Sequence, residues 1–296
     1  MHLSGKTVLL QAGDYTATIV TIGGAIASLK YLGHDIVMPW KPESVPEGYQ
    51  GKILAPWPNR IPDGIYTFAN QEYSLPINDK ETQCASHGLV AWQEWSIKSM
   101  SASGVELQCF IPPQPGYPFL ISLQANYELI EGMGLKIDIT AQNVGKEDAP
   151  YGIGMHPYIT IDGQLIDECV LSMPFTRAFA LSERKIPTEV VSVDDLGFNF
   201  QKPRAMGPVE IDHCFISEGA SRMNTVMLEN KDLKVYCKSN APFMQLYTPD
   251  KLGRKCLAVE PMTCAANAFN NGYGLITLKE HQHSTLTYII GAVKQV

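Results

Sequence analysis

The hydrophobic positions of this chain recur with a period of two. Residues 16–20 (TATIV), 95–98 (WSIK), 105–110 (VELQCF), 122–129 (SLQANYEL) and 135–141 (LKIDITA) alternate between apolar and polar. Successive side chains of a strand point to opposite faces, so each run predicts a half-buried strand. Residues 23–29 (GGAIASL) open on a flexible pair and become another. Residues 66–68 and 73–75 flank ANQE (69–72), which is hairpin chemistry, and EGMG (131–134) joins two of the longer strands. The pattern continues through 233–237, 243–247 and 284–290. Long helical periodicity is scarce. Many short strands at turn-spaced intervals predict an all-β chain built as an antiparallel sandwich or barrel.

The Pro-rich stretches 38–46 and 111–118 read as irregular surface loops. No linker, repeat or charge block marks a boundary, so residues 1–296 are expected to form a single domain. An apolar content of 45% and a charged content of 18% give a globular protein with a sizeable core. The net charge of −7 argues against nucleic acid or an anionic membrane as partner. No apolar run reaches the roughly 18 residues of a membrane span. The first five residues show no basic region followed by an apolar run, so no secretory signal is expected.

The seven cysteines (84, 109, 169, 214, 237, 256 and 264) are odd in number and widely spread. They read as reduced, mostly buried thiols of a cytoplasmic protein. His281 and His283 lie in a charged, turn-like segment that makes a poor metal site; no metal or organic cofactor is expected.

The chemistry-bearing residues gather in five places. In YGIGMHPY (151–158), His156 precedes Pro157, which pushes its backbone toward an extended form. Histidine exchanges protons near neutral pH, glycines 152 and 154 permit close backbone approach, and Tyr151 and Tyr158 offer flat surfaces for a sugar ring. A structural histidine would explain the same residues. In APWPNRI (55–61), Asn59 and Arg60 sit between prolines in an apolar setting, as a fixed donor pair or as a turn with a surface arginine. His87 of SHGLV (86–90) is followed by Trp92 and Trp95; a loop histidine beside core tryptophans is the plainer alternative. Asp212 in IDHCF (211–215) stands between an isoleucine and an aromatic strand start, which suits a ligand contact or a turn cap. Glu260 ends an apolar strand before Pro261, where desolvation would raise its pKa into the range of a general base, unless it is a surface strand end. No phosphate loop, serine elbow or Cys–His nucleophile pattern accompanies them. Two histidines, an arginine, an aspartate and a glutamate on a β scaffold suit proton transfer on a polyhydroxylated substrate.

These segments resemble the aldose 1-epimerases (galactose mutarotases). The resemblance runs nearly the whole length: GGAIASL (23–29), NRIPDGIYTF (59–68), SHGLV (86–90), GMHPY (154–158), DHCF (212–215), QLYTP (245–249) and VEP (259–261), in that order. It implies a large antiparallel β-sandwich of the supersandwich type. The PWPNRI form is also similar to a bacterial branch near sulfoquinovose mutarotases. The resemblance makes Glu260 the general base on the anomeric hydroxyl and His156 the general acid on the ring oxygen. His87 would assist, and Arg60, Asn59 and Asp212 would hold sugar hydroxyls. The ring opens, the aldehyde turns about C1–C2, and the ring closes on its other face. A small sugar is then the expected partner, met by a monomer or homodimer. Two departures stand out: residues 263–270 (TCAANAFN) replace the family's usual loop after VEP, and Ile159 follows HPY where an aromatic is more common.

Three other readings compete. A sugar-binding relative without catalysis would not need Glu260, His156 and His87 together. A glycosidase using Glu260 and Asp212 would not need two histidines. An epimerase of an anionic sugar would want Arg177, Arg184, Lys185 or Arg204 near the site.

Overall fold

In the computed structural model, residues 2–217 and 223–295 are described. Their strands assemble chiefly into two large sheets. The first has twelve strands among the described residues. It runs from Thr7–Ala12 through Tyr15–Val20, Ala25–Tyr31 and His34–Val37 to Tyr158–Ile159 and Leu257–Met262. It continues through Phe243–Tyr247, Asp212–Ile216 and Arg177–Leu181 to Pro187–Ser192. The second has nine, centred on Ile121–Ile130, Gly134–Asn143, His283–Lys294 and Leu233–Ser239. The paired strands are antiparallel, and one isolated parallel bridge joins Ala55 to Gly88.

Period-two alternation explains the sandwich. Ile121, Leu123, Ala125, Tyr127 and Leu129 leave the second sheet on one face. Tyr15, Ala17, Ile19, Leu246, Leu257 and Val259 leave the first, and both sets share one apolar core. Tyr15 ties the sheets together: its hydroxyl donates to the Ala292 carbonyl (2.8 Å) and accepts from the Ala292 N–H (3.0 Å).

The expected strands are present, most of them one to four residues longer than the alternation marks. The hairpin between Ile65–Phe68 and Gln71–Ser74 turns on Ala69 and Asn70, both with positive φ (49° and 62°). All seven cysteines are buried and unbonded. His281 sits in a turn and His283 opens the last strand. Three expectations need correction. The 111–118 stretch is not wholly a surface loop, because Tyr117 is fully buried and donates to the Pro150 carbonyl (2.8 Å). Glu260 does not end its strand, which runs on through Pro261 to Met262. Of the two tryptophans after His87, Trp95 is core but Trp92 is 49% exposed.

Candidate active site

The site stands on the outer face of the first sheet, near its middle. Gly154 pairs with Met262 and Tyr158 pairs with Ala258. Continuing that register sets His156 opposite Glu260. Pro157 and Pro261 lack N–H groups and interrupt the ladder there. Cross-strand partners share a face, and His156 Nε2 lies 3.4 Å from Glu260 Oε1. Gln245 pairs with Glu260 on the other side, and Cys214 pairs with Gln245, so one row crosses three strands and ends at His156. A second row holds Tyr158, Ala258, Tyr247 and Asp212. The Gln245 side-chain amide donates to Asp212 Oδ1 (2.7 Å). Beyond Cys214 the face becomes apolar with Phe179, Phe243, Met262 and Ala265.

Asn59, Arg60 and His87 arrive from a small separate ladder, Arg60–Pro62 against Cys84–Ser86. Asn59 and His87 flank its end, both at positive φ (58° and 64°). The His87 N–H donates to the Asn59 carbonyl (2.9 Å), and the Asn59 N–H donates to His87 Nδ1 (3.3 Å). An Nδ1 that accepts leaves the proton of a neutral imidazole on Nε2. Burial, with His156 and Arg60 adding, holds His87 well below its ordinary value, so it is neutral. Arg60 donates from Nε to Asp79 Oδ2 (3.2 Å) and from one terminal nitrogen to Asn59 Oδ1 (3.4 Å).

Together these residues line a cavity of about 330 Å³ that also exposes Gly48, Tyr49, Asp79, Glu81, Thr82 and Lys185. All six residues expected from the sequence line it: Asn59, Arg60, His87, His156, Asp212 and Glu260. Of the four basic candidates, Lys185 lines it. Arg177 is exposed at the start of its strand and does not line the cavity, Arg184 is paired with Asp63, and Arg204 lies over the Phe200 ring. Tyr158 stacks on His156, with centroids 4.9 Å apart and planes at 13°. Tyr151 is core instead. A side chain at Gly152 would strike Cys264 Sγ, so this glycine admits another part of the chain and not a ligand. Tyr49 and Asp79 were not singled out by the sequence, and Gln245 and Tyr247 entered only as part of QLYTP, without a role. Alternation marked Gln245 and Tyr247 as one face of a strand without saying which face met solvent.

The unusual 263–270 segment does not line the cavity. Thr263 Oγ1 accepts the Ile153 N–H (2.9 Å), and the Asn267 N–H donates to the Arg60 carbonyl (2.7 Å). It braces the backbones that carry the site.

Electrostatically, the central pair is short of partners. Glu260 is 2% exposed and His156 is 6% exposed, and Glu260 Oε2 and His156 Nδ1 have no hydrogen-bond partner among the described residues. Burial pushes the Glu260 carboxyl well up; Asp212 adds to this and Arg60 opposes it. Burial also pulls the His156 imidazole down to about 3, with Arg60 adding. Burial thus disfavours the charged form of both partners.

A sequence profile of the aldose 1-epimerases matches residues 6–291. The chain belongs to the aldose 1-epimerase family. One relative is an uncharacterized protein of Escherichia coli K12, YihR. It is 42% identical over 290 residues, covering 98% of this chain and 94% of that protein. Two solved epimerase homologues share the fold. The GalM/aldose epimerase homologue from C. elegans has a TM-score of 0.87 at 18% identity, over 98% of this chain and 100% of that one. The galactose 1-epimerase of Lactobacillus acidophilus has a TM-score of 0.85 at 19% identity, over 98% of this chain and 95% of that one. No helix of this family member's described residues is long and apolar enough to cross a membrane.

Proposed function

We propose that this protein is a mutarotase that interconverts the anomers of a hexose by opening and reclosing its ring. The observation that carries the reading is the buried Glu260–His156 pair at 3.4 Å, on the floor of a sugar-sized cavity. Anomer exchange needs one proton acceptor and one donor near C1, and a pair holding a single proton between them supplies both. A sugar hydroxyl reaching Glu260 Oε2 gives the carboxylate the hydrogen bond it otherwise lacks and shifts the shared proton toward His156. Glu260 then takes the proton of the anomeric hydroxyl and His156 protonates the ring oxygen. The C1–O5 bond breaks, C1 rotates, and the same transfers reversed close the ring. The Nε2–H of His87 donates to an oxygen near C1. Arg60, Asn59 and Asp212 hold the other hydroxyls.

Glu260 and Asp212 share one sheet face with Gln245 between them. Both would approach a bound ring from the floor, whereas a glycosidase pair flanks the scissile bond. Lys185 favours a finer, second reading. It lines the cavity with no carboxylate within salt-bridge distance among the described residues, while the Arg60 charge is matched by Asp79. A sulfonated or phosphorylated hexose would give Lys185 a partner.

The test is NMR or polarimetric anomer exchange on freshly dissolved α-glucose, α-galactose and a 6-sulfonated hexose, with Glu260→Gln as the blank. Acceleration over the blank on any of them establishes the reaction, and the fastest sugar defines the pocket. Binding without acceleration on all three would favour a sugar-binding protein.

A further inference from the structure

We propose that Lys52 is a positioning residue for the sugar cavity: its ammonium pins Trp92, and Trp92 seats Tyr49 against His87. This rests on the mutarotase reading for its kinetic consequence but not for its geometry.

Lys52 is fully buried, which lysines almost never are unless paired. Here no carboxylate lies within 4 Å of it among the described residues. Its Nζ donates to the Ile22 carbonyl (3.2 Å) and stands 4.3 Å from the centroid of the Trp92 ring. A desolvated ammonium over an indole face is a strong form of the cation–π contact. Trp92 is half exposed, so its indole does not fill the core as Trp95 does. The buried cation thus fixes a ring that apolar packing alone would leave loose.

The ring leads to the site. Trp92 and Tyr49 have centroids 5.7 Å apart, and Tyr49 lies 4.4 Å from His87 and nearly parallel to His156 at 6.4 Å. Tyr49 lines the cavity. A second support comes from Asn78, whose amide donates to the Tyr49 hydroxyl (3.4 Å). The Lys52 backbone joins the same elements: its N–H donates to the Tyr49 carbonyl, and its carbonyl accepts the His156 N–H, both at 3.0 Å.

Burial alone lowers the Lys52 amine to about 8. The other titratable groups on the elements around it are Tyr49, Glu94 beside Ile22, and His156. Burial pushes the Tyr49 phenol up, and it holds His156 down to about 3. Neither therefore titrates near pH 8.

The test uses the full chain as wild type, Lys52→Met and Trp92→Phe. Read without sugar, wild-type tryptophan emission should titrate with a midpoint near pH 8, and both variants should lose that step. On the fastest sugar, both variants should raise KM by about 5–10-fold and leave kcat within about 2-fold. If Lys52→Met does not fold, Trp92→Phe, altered at a half-exposed position, carries both readings. If wild type anomerises no sugar, the mutarotase reading fails alone; emission and calorimetric sugar affinity then decide the positioning role. An emission profile that keeps its step in the variants, or a loss confined to kcat, overturns the proposal.

Discussion

Glu260 Oε1 and His156 Nε2 stand 3.4 Å apart because their strands keep one register through two prolines. The pair titrates as a unit. It takes up a second proton only as the pH falls toward the depressed His156 value of about 3, and then no acceptor remains. It loses its last proton only as the pH rises through the elevated Glu260 value, and then no donor remains. The kcat/KM profile, which reports the free enzyme, should therefore be a broad bell, with its acid limb below about pH 4 and its alkaline limb above the ordinary carboxyl range. Anomer-exchange NMR from pH 3 to 10, corrected by the Glu260→Gln blank, checks this. An acid limb near the ordinary histidine value of about 6.5 would show that burial does not hold down the pair's uptake of a second proton.

Glu260→Gln should abolish turnover and leave sugar affinity within about tenfold, because the amide keeps the shape and one acceptor but cannot take a proton. The same change should stabilise the fold at alkaline pH. Between the ordinary carboxyl value and the raised folded one, the unfolded chain releases a proton that the folded chain keeps, so wild-type stability falls as pH rises. Glutamine removes that dependence. Its Tm should match wild type at pH 4 and exceed it by at least about 2 °C at pH 8. Equal Tm values at both pH values would mean that Glu260 carries no burial penalty.

His156→Asn should cost at least ~10²-fold in kcat, the low end for general acid catalysis. His87→Phe keeps an aromatic neighbour for Tyr49 but removes the Nε2–H donor, and should cost about tenfold in kcat/KM. If His87→Phe is the more damaging in kcat, the acid role belongs to His87.

The floor of the site was the legible part. Asp212, His156 and Glu260 each interrupt an apolar or aromatic strand pattern with a polar group, and strand packing has no use for one there. The sandwich was equally plain, because alternation encodes a two-faced strand directly. Strand order was not: nothing in residues 154–158 says that they face 258–262 across a ladder. Tyr49 and Asp79 sit in loops whose composition is ordinary, and their roles come from long-range packing against His87 and Arg60. Nothing in the sequence singled out Lys52, whose burial follows from neighbours 30 and 40 residues away, Ile22 and Trp92. The mistaken strand end at Glu260 arose because a proline usually stops a ladder, whereas here the adjacent strand yields at Pro157.

Asp79 sets both the aim and the charge of Arg60. Burial pushes its carboxyl up, but hydrogen bonds from Thr82 and the Arg60 ion pair outweigh that and hold it below its ordinary value. Thr82 Oγ1 donates to Asp79 Oδ2 (2.6 Å), and the Arg60 Nε–H meets the same oxygen at 3.2 Å. Asp79→Asn keeps the shape of the side chain but leaves the guanidinium uncompensated. For a neutral hexose, KM should rise by about 5–10-fold through looser aim, with kcat within about 3-fold. For a sulfonated hexose the freed positive charge offsets that loss. The ratio of kcat/KM for the anionic over the neutral sugar should then increase by about tenfold at low salt and fall back at high salt. A ratio unchanged by the substitution at either ionic strength would mean that the Arg60 charge does not reach the substituent, leaving Lys185 as the cavity's remaining cation for an anionic sugar.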